Sequence, residues 1–299
     1  MSRFWNARTR QTAPYTPGEQ PRGQKLIKLN TNECPYPPSA AVARALRDFD
    51  AADLRLYPDP HSLRLREALS EYYGVDAPRI FVGNGSDEVL ALAFQAYFET
   101  EPEGKAIVFP DITYSFFPVY ADRYGIPCRK VPLDDTFGIP VDALAEPSGG
   151  VVLANPNAPT GRAISRDEVE RIVAADPERV VIVDEAYVDF GGESALPLLD
   201  RYDNLLVVMT FSKSRALAGA RLGFAMGSRA LIEGLERVRD AFNSYPVDRV
   251  AEAVGIAAVR DGAWFEATRA RIMETREKTA ARLAALGFSI VPSSANFLF

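Results

Sequence analysis

Short apolar runs alternate with longer amphipathic segments along most of the chain. Five runs rich in Val and Ile are typical of buried β-strands, and they lie in residues 79–85, 105–111, 150–157, 179–187 and 204–212. Most of the intervals between them are long enough for a crossover helix, which parallel strands require. The pattern therefore predicts an α/β fold with a mainly parallel sheet that carries helices on both faces.

Two amphipathic segments precede the first strand. Residues 40–49 and 62–74 place their charges on one helical face, and Gly74 is a typical helix stop. Before them, residues 1–39 are rich in Pro, Gly, Asn and Gln, which predicts an irregular N-terminal arm. The large domain is therefore expected to begin at residue 40.

The pattern changes again near residue 245. We predict a boundary there between a large domain (40–244) and a smaller α+β C-terminal domain (245–299). In the smaller domain, residues 264–287 predict a long amphipathic helix and residues 288–299 a final pair of strands. The last apolar run is still in progress where the sequence ends, so this domain is expected to be incomplete.

Composition narrows the range of partners. The 299 residues carry 34 Lys and Arg against 40 Asp and Glu, a net charge of −6. Nucleic acid or an anionic membrane would need a basic surface, so a small molecule is the favoured partner. Cys34, Cys128 and His61, the only cysteines and histidine, are too few for a zinc site, so no metal is expected. The sequence has no apolar signal segment and no apolar run of membrane-spanning length, which predicts a cytoplasmic protein.

Polar and charged residues follow each apolar run, and ligands of parallel sheets collect at the carboxyl ends of the strands. After the first run, Gly85, Ser86 and Asp87 open a predicted helix, with Ser86 as its N-cap. Backbone N–H groups at a helix start attract phosphate, although an ordinary strand-to-helix turn would look the same. The third glycine of a dinucleotide-binding fingerprint is replaced by Glu88, which weighs against a nicotinamide dehydrogenase.

Asp184 follows a run of four apolar residues, 180–183, inside the predicted strand at 179–187. A carboxylate that emerges from a buried strand is costly unless it meets a cation or a hydrogen-bond donor, so it marks either a site or a structural ion pair. Tyr187 follows three residues later and is either a core aromatic or a hydroxyl directed at the same site. Tyr114, among other aromatics, resembles core packing, and Asn157 lies in a Pro-rich turn.

Lys213 lies in a Ser/Thr loop directly after the last apolar run. A lysine in a partly dry pocket has a lowered pKa and can form a Schiff base, whereas the alternative is an ordinary exposed lysine. Thr210 and Ser212 flank it, and Arg221, eight residues later, could bind a phosphate. Taken together, these strand-end residues supply a carbonyl partner, a counter-ion, a ring contact and phosphate ligands, the set that pyridoxal 5'-phosphate needs.

The sequence resembles the fold-type I pyridoxal-phosphate aminotransferases, and most closely the histidinol-phosphate aminotransferases. The resemblance covers nearly the whole chain through the motifs LNTNECPYPP, RLYPDP, GNGSDEVL, NPNAPTG, VDEAYVDF, TFSKSRALAGARLGF and PSSANFLF. It implies that Lys213 forms the Schiff base, Asp184 contacts the pyridine nitrogen and Tyr187 the phenolate oxygen, while Tyr114 stacks on the ring.

The resemblance also implies a phosphate site and a second subunit. The phosphate ligands would come from Gly85, Ser86, Asp87, Thr210, Ser212 and Arg221. Tyr57 would reach the cofactor of the neighbouring subunit, so a homodimer is expected, and Asn32 and Tyr57 would contact the substrate.

Two departures from the family pattern affect these expectations. The family has an asparagine directly before Pro-Thr-Gly that bonds the phenolate oxygen, but here this position is Ala158, so Asn157 is predicted to take the role. The sequence also ends before the segment that carries the family's substrate-carboxylate arginine. Arg22, Arg269 and Arg271 are the available replacements.

The expected activity is transamination between histidinol phosphate and 2-oxoglutarate or glutamate, by a ping-pong mechanism, in histidine biosynthesis. A decarboxylase of the threonine-phosphate type and an aromatic amino acid aminotransferase would share these motifs. A catalytically silent cofactor-binding regulator is the non-enzyme alternative. It is disfavoured because Lys213 is present and no basic helix-turn-helix segment is found.

Overall fold

The computed structural model describes residues 2–12, 27–100 and 105–299. The strands formed by these residues are β1 (Ile80–Asn84), β2 (Ile107–Pro110), β3 (Cys128–Val131), β4 (Gly150–Ala154), β5 (Val181–Asp184), β6 (Leu205–Thr210) and β7 (Leu222–Gly227). The α-helices are α1 (Ala7–Gln11), α2 (Ala40–Arg47), α3 (Leu63–Tyr73), α4 (Gly85–Tyr97), α5 (Phe116–Tyr124), α6 (Val141–Ala145), α7 (Arg166–Ala174), α8 (Arg229–Asp240), α9 (Arg249–Arg260) and α10 (Gly262–Ala285). None of these helices combines the length and the apolar character that a membrane-spanning helix needs.

The strands form a single mixed sheet in the order β1-β7-β6-β5-β4-β2-β3. Strand β7 runs antiparallel to both of its neighbours, and the other pairs are parallel. The α/β class and the mainly parallel sheet are therefore confirmed. Sequence analysis missed β3, whose first three residues are exposed, and β7, whose two glycines weaken the strand pattern.

Helices cover both faces of the sheet, as predicted. On one face, α2, α3, α7 and α9 bury apolar side chains in a common cluster with the sheet. On the other face, α4, α5 and α8 form a second cluster. The central strands β4, β5 and β6 are consequently shielded from solvent on both faces. This explains why they are nearly continuous apolar runs in the sequence.

The predicted features before the sheet agree with the structure. Helix α3 ends at Gly74, whose φ of 70° is the left-handed conformation that glycine adopts without strain. In the N-terminal arm, residues 27–39 form no regular element, and residues 13–26 lie outside the described part of the chain.

The C-terminal residues agree with the sequence only in part. The long helix is present as α10, but residues 288–299 form no strand pair, which corrects the prediction. A single backbone hydrogen bond joins Val291 N to Phe299 O (3.1 Å), while Ser294 N donates to Gly161 O (2.8 Å) in another loop. The predicted boundary at residue 245 remains a prediction, and α9, which follows it, packs in the same core as α3.

Candidate active site

A cavity of about 770 Å³ opens at the carboxyl ends of β4, β5 and β6. Ala154, Asp184 and Thr210, which end these three strands, all line it. The predicted site residues that line the cavity are Asn32, Ser86, Asp87, Tyr114, Asp184, Tyr187, Thr210, Ser212, Lys213 and Arg221. The cavity therefore brings together residues that are up to 189 positions apart, from 32 to 221, and three of its walls are strand ends.

Lys213 extends into this cavity from the loop between β6 and β7. Its Nζ donates a hydrogen bond to the backbone oxygen of Thr31 (2.8 Å). Burial lowers the pKa of Lys213 below its usual value, while the carboxylates of Asp87, Glu33 and Asp184 act in the opposite direction. A lysine with a lowered pKa has a larger neutral fraction, which is the form that attacks a carbonyl carbon.

Local hydrogen bonds fix the loop that carries the lysine. Ser212 N donates to Thr210 Oγ1 (3.1 Å), and Phe211 N donates to Leu222 O (3.0 Å) on β7. Phe211 is fully buried and so anchors the loop to the core directly before the lysine segment. The hydroxyl groups of this stretch thus act as hydrogen-bond partners for the backbone of the loop.

Asp184 lies at the end of β5, beside Ala154 of β4 and Val208 of β6. Only 5% of the residue is exposed, and burial raises the pKa of its carboxyl to about 7. The backbone N–H of Ala186 donates to the carboxylate (3.1 Å) and partly offsets this shift. A buried carboxyl of this kind gains most from a cationic partner brought by a ligand.

Tyr187 lies between Lys213 and the C-terminal segment. Its ring centroid is 5.4 Å from Lys213 Nζ, and Phe297 packs edge-on against the ring at 5.0 Å. The Tyr187 hydroxyl oxygen accepts a hydrogen bond from Asn32 Nδ2 (3.2 Å). The side chain therefore belongs to the cavity wall beside the lysine.

Asp87 joins two walls of the cavity. Tyr114 donates its hydroxyl proton to one carboxylate oxygen (2.6 Å), and Arg221 Nη2 lies 3.2 Å from the other. Burial and the adjacent Asp87 charge raise the pKa of the Tyr114 hydroxyl, so Tyr114 stays protonated and remains a donor. Asp87 thereby fixes the positions of the Tyr114 ring and the Arg221 guanidinium.

The N-terminus of α4 faces the same end of the cavity. The helix begins at Gly85 and Asn84 occupies the cap position, so Ser86 is in the first turn and is not the N-cap that the sequence predicts. Glu88 explains the difference, because its carboxylate accepts from Asn84 N (2.6 Å). Together with Arg221, the first turn of a 13-residue helix forms an arrangement suited to an anion.

Two glycines permit this arrangement. Gly85 has a φ of 81°, and a Cβ there would lie 2.6 Å from Arg221 Nη2. Although Gly85 does not itself line the cavity, it leaves the space that the guanidinium occupies. A Cβ on Gly223 of β7 would collide with the backbone of Gly85 and Ser86, so the strand supports the helix start by direct backbone contact.

Asn157 does not occupy the predicted position. It is fully buried behind the cavity wall, where its Nδ2 donates to Ile112 O (2.9 Å) and Thr160 Oγ1 (3.0 Å). Its Oδ1 accepts from Thr113 Oγ1 (2.8 Å). These bonds use the amide within its own loop, so Asn157 supports the wall, and the adjacent Ala158 lines the cavity.

The cavity fits a phosphorylated aromatic aldehyde such as pyridoxal 5'-phosphate. A helix start and a guanidinium suit the phosphate, and a buried carboxyl suits a ring nitrogen that carries a proton. A lysine with a lowered pKa suits the aldehyde. The donor set thus agrees with the cofactor that the sequence predicts.

Comparison with known proteins identifies the family. The profile described as aminotransferase class I and II matches residues 24–299. The chain belongs to this family. The resemblance to fold-type I aminotransferases that the motifs predict is confirmed.

The relatives of this aminotransferase resemble it in sequence and in fold. Histidinol-phosphate aminotransferase of Chromohalobacter salexigens is 57% identical over 299 residues, which cover 100% of this chain and 84% of that protein. Histidinol-phosphate aminotransferase 1 of Bordetella parapertussis is also 57% identical, over 302 residues and with the same coverage of each chain. The crystal structure of the Sinorhizobium meliloti histidinol-phosphate aminotransferase in complex with pyridoxal 5'-phosphate superposes with a TM-score of 0.79 at 26% identity, over 90% of this chain and 73% of that one.

Tyr57 of the aminotransferase lies outside the cavity of its own chain. It is 78% exposed, and its ring stacks on Tyr245 with a centroid distance of 4.8 Å. Arg249 Nη2 donates to the Tyr57 backbone oxygen (2.9 Å) and holds the turn. Its predicted contacts with substrate and with a neighbouring cofactor remain predictions.

The two candidates for the substrate-carboxylate arginine that lie in the described residues, Arg269 and Arg271, are outside the cavity wall. Arg269 donates to Asp189 O (3.0 Å), Arg271 is exposed on α10, and neither lines the cavity. Arg22 lies outside the described residues. Arg221 is the one arginine of the described ranges on the cavity wall, and Asp87 is its ion-pair partner.

Thr31 is a cavity residue that the sequence did not indicate, and its carbonyl oxygen accepts from Lys213 Nζ across 182 positions. Backbone acceptors have no side-chain signature, so no residue type could indicate this contact. The position next to Asn32 in the motif LNTNE was the only available signal.

Proposed function

We propose that the protein transfers the amino group of histidinol phosphate to 2-oxoglutarate and uses pyridoxal 5'-phosphate as its cofactor. Two relatives at 57% identity with that named activity support the substrate. The observation that carries the proposal is the position of Lys213, with its lowered pKa, in one cavity with Asp184 and the anion-binding end of α4.

Each part of the cofactor has a matching group in the cavity. Ser86, Arg221 and the first turn of α4 would hold the phosphate, with Thr210 and Ser212 beside them. Asp184 would keep the ring nitrogen protonated, and Tyr114 would cover the ring. When bound, the cofactor accepts electrons from the bond that breaks at the substrate α-carbon.

Tyr187 would donate to the ring oxygen of the cofactor. That oxygen is on the ring carbon next to the one that carries the aldehyde, so its partner must lie beside the lysine. The Tyr187 ring lies 5.4 Å from Lys213 Nζ and meets this condition.

Lys213 has two functions in this proposal. Its neutral Nζ would hold the cofactor through the aldehyde carbon, with loss of water, and in its free form Nζ would take the proton from the substrate α-carbon. The lowered pKa serves both functions, because a lysine that stayed protonated could act neither as nucleophile nor as base. The Thr31 carbonyl oxygen accepts a hydrogen bond from Nζ and so orients it when no substrate is bound.

Covalent labelling tests the proposal at the level of the residue. The purified protein is reduced with borohydride in the presence of pyridoxal 5'-phosphate, digested, and mapped by mass spectrometry. We expect the reduced label on the peptide that contains Lys213, because this is the lysine that the cavity encloses. Label confined to another lysine would rule out this site.

A product assay then tests the reaction. Histidinol phosphate and 2-oxoglutarate should give glutamate in a 1:1 ratio with the carbonyl product. Carbon dioxide release in place of amino transfer would indicate a decarboxylase, and cofactor binding without turnover would indicate a regulatory module.

We further propose that the protein acts as a homodimer with shared sites. Exposed apolar side chains gather around Tyr57, which is 78% exposed, and Tyr245, which is 44% exposed. Leu54 and Phe242, three residues before each of them, are 60% and 80% exposed. An apolar surface of this kind is typical of an interface, and a second copy of the chain would bring Tyr57 to its neighbour's cavity.

Complementation tests the shared site. Lys213→Ala and Tyr57→Phe chains are each expected to be impaired, and a mixed dimer regains one site with both native residues. After unfolding and refolding together, equal amounts should recover at most about a quarter of wild-type activity, since half of the dimers are mixed and each has one intact site. No recovery from two correctly folded parents would contradict the shared site.

A further inference from the structure

The segment Asn30–Glu33 crosses the mouth of the cavity and contacts both Lys213 and Tyr187. Asn32 has a φ of 53°, a left-handed conformation that asparagine tolerates better than most residues. In this conformation the Asn32 side-chain amide reaches the Tyr187 hydroxyl oxygen. The two atoms are 3.2 Å apart, and the residues are separated by 155 positions in the chain.

Asn32 is itself held from a second direction. Asn296 Nδ2 donates to the Asn32 backbone oxygen (2.9 Å), and the following residue, Phe297, packs edge-on against the Tyr187 ring. The neighbouring Thr31 carbonyl accepts from Lys213 (2.8 Å). Asn32 is thus fixed relative to Tyr187 by contacts on both sides.

The direction of this hydrogen bond determines where the Tyr187 hydroxyl proton lies. An amide nitrogen donates and does not accept, so the Tyr187 oxygen is the acceptor in its bond with Asn32. The Tyr187 hydroxyl proton is therefore directed away from Asn32. We propose that Asn32 is a positioning residue that makes Tyr187 donate its hydroxyl proton into the cavity, toward the ring oxygen of the cofactor.

This inference rests on the proposed function and adds a residue that acts through Tyr187. A donor on the ring oxygen stabilises the more negative, deprotonated form of the bound cofactor. It therefore lowers the spectral pKa, which is the pKa at which the visible absorption of the bound cofactor changes. Loss of the Asn32 amide lets the Tyr187 proton point elsewhere, so that pKa should rise.

Two variants separate the amide from the backbone conformation. Asn32→Gly removes the amide and keeps a residue that accepts the positive φ. Asn32→Asp keeps the shape, but its carboxylate accepts hydrogen bonds and would draw the Tyr187 proton away from the cavity. The spectral pKa of the cofactor-loaded protein should rise by about one unit in Asn32→Gly and by at least as much in Asn32→Asp.

The same substitutions in a Tyr187→Phe background provide the control. If Asn32 acts through the Tyr187 hydroxyl, Asn32→Gly should shift the spectral pKa in the native background and leave it unchanged in Tyr187→Phe. The charge of Asn32→Asp would act in both backgrounds, so only the difference between the two backgrounds reports on the proton direction. The kinetic counterpart is a lower kcat with little change in KM for histidinol phosphate.

The outcomes distinguish the inference from the proposed function. Wild-type protein without a cofactor absorption band or a labelled Lys213 would overturn the proposed function. A normal wild-type spectrum with no shift in either Asn32 variant, or equal shifts with and without the Tyr187 hydroxyl, would overturn the role of Asn32 alone.

Discussion

Replacement of Lys213 by Ala is expected to lower kcat for transamination by at least about 10⁴-fold, because the variant loses a nucleophile and a general base at once. The structure encloses this amine in the cavity, where its pKa is lowered by burial. The measurement is steady-state turnover of histidinol phosphate and 2-oxoglutarate by the cofactor-loaded variant. Added methylamine should restore part of the turnover, since a free amine can replace the missing base.

Two further variants serve as controls for this measurement. Lys213→Arg keeps a cation in place but stays protonated, so it should be about as inactive as Lys213→Ala. Lys130→Ala removes an exposed lysine from the edge strand β3 and should retain wild-type turnover. If Lys213→Ala stayed within about tenfold of the wild-type rate, Lys213 would not be the base.

The part of the site that could be read from the sequence follows the strands. Asp184 and Thr210 end buried parallel strands, and Lys213 follows the second of them by three residues, so the strand pattern and the parallel topology together place these residues at one edge of the sheet. A polar side chain directly after an apolar run is visible in one dimension. Its neighbour across the sheet is then fixed by topology.

Two errors lie where side-chain hydrogen bonds decide the outcome. Asn157 and Ala158 are adjacent in a turn, and only the bonds from Asn157 to Ile112, Thr113 and Thr160 show which of them faces the cavity. Ser86 lost the cap position because the Glu88 side chain bonds Asn84 N. The bonds of Asn157 to Ile112 and Thr113 reach about 45 positions along the chain, so no local pattern could predict them, whereas the bond between Glu88 and Asn84 is local.

The predicted final strands illustrate a second limit. Residues 288–299 have an apolar content that suits strands, but their polar groups pair with other segments of the fold. Ser294 N donates to Gly161 O, and Asn296 Nδ2 donates to Asn32 O. The segment thereby supports the cavity wall from outside, a function that apolar periodicity does not encode.

Two carboxyl groups are buried at the end of β5, and their ionised forms lower the stability of the folded protein. Asp184 and Glu185 are 5% and 2% exposed, and burial raises the pKa of their carboxyls to about 7 and about 8. Glu185 has local partners, since Ala195 N (2.6 Å) and Ser194 Oγ (2.7 Å) donate to it. Asp184 has one backbone donor and faces the cavity, so its ionised form is costly until a cationic ligand arrives.

Asp184→Asn is expected to lower kcat by about 10²–10³-fold while the protein still binds the cofactor, because the amide removes the negative charge that keeps the ring nitrogen protonated. Covalent attachment depends on Lys213, so the borohydride label should remain. Steady-state kinetics and peptide mapping of the same preparation check the two halves of this expectation. Near-normal turnover would show that Asp184 is not the partner of the ring nitrogen.

The same substitution should stabilise the cofactor-free protein at alkaline pH. Between the ordinary value of 3.8 and about 7, the folded state binds the Asp184 proton more tightly than the unfolded state, so the free energy of unfolding falls as pH rises through this range. Above it the full penalty applies, and Asp184→Asn should recover about 1–4 kcal/mol at pH 8, since one pKa unit corresponds to about 1.4 kcal/mol. At pH 4 the variant and the wild type should differ little. Thermal unfolding of the cofactor-free proteins at both pH values, with exposed Asp203→Asn as the matched substitution, measures the effect; a Tm difference independent of pH would mean that burial of the Asp184 charge is not its cause.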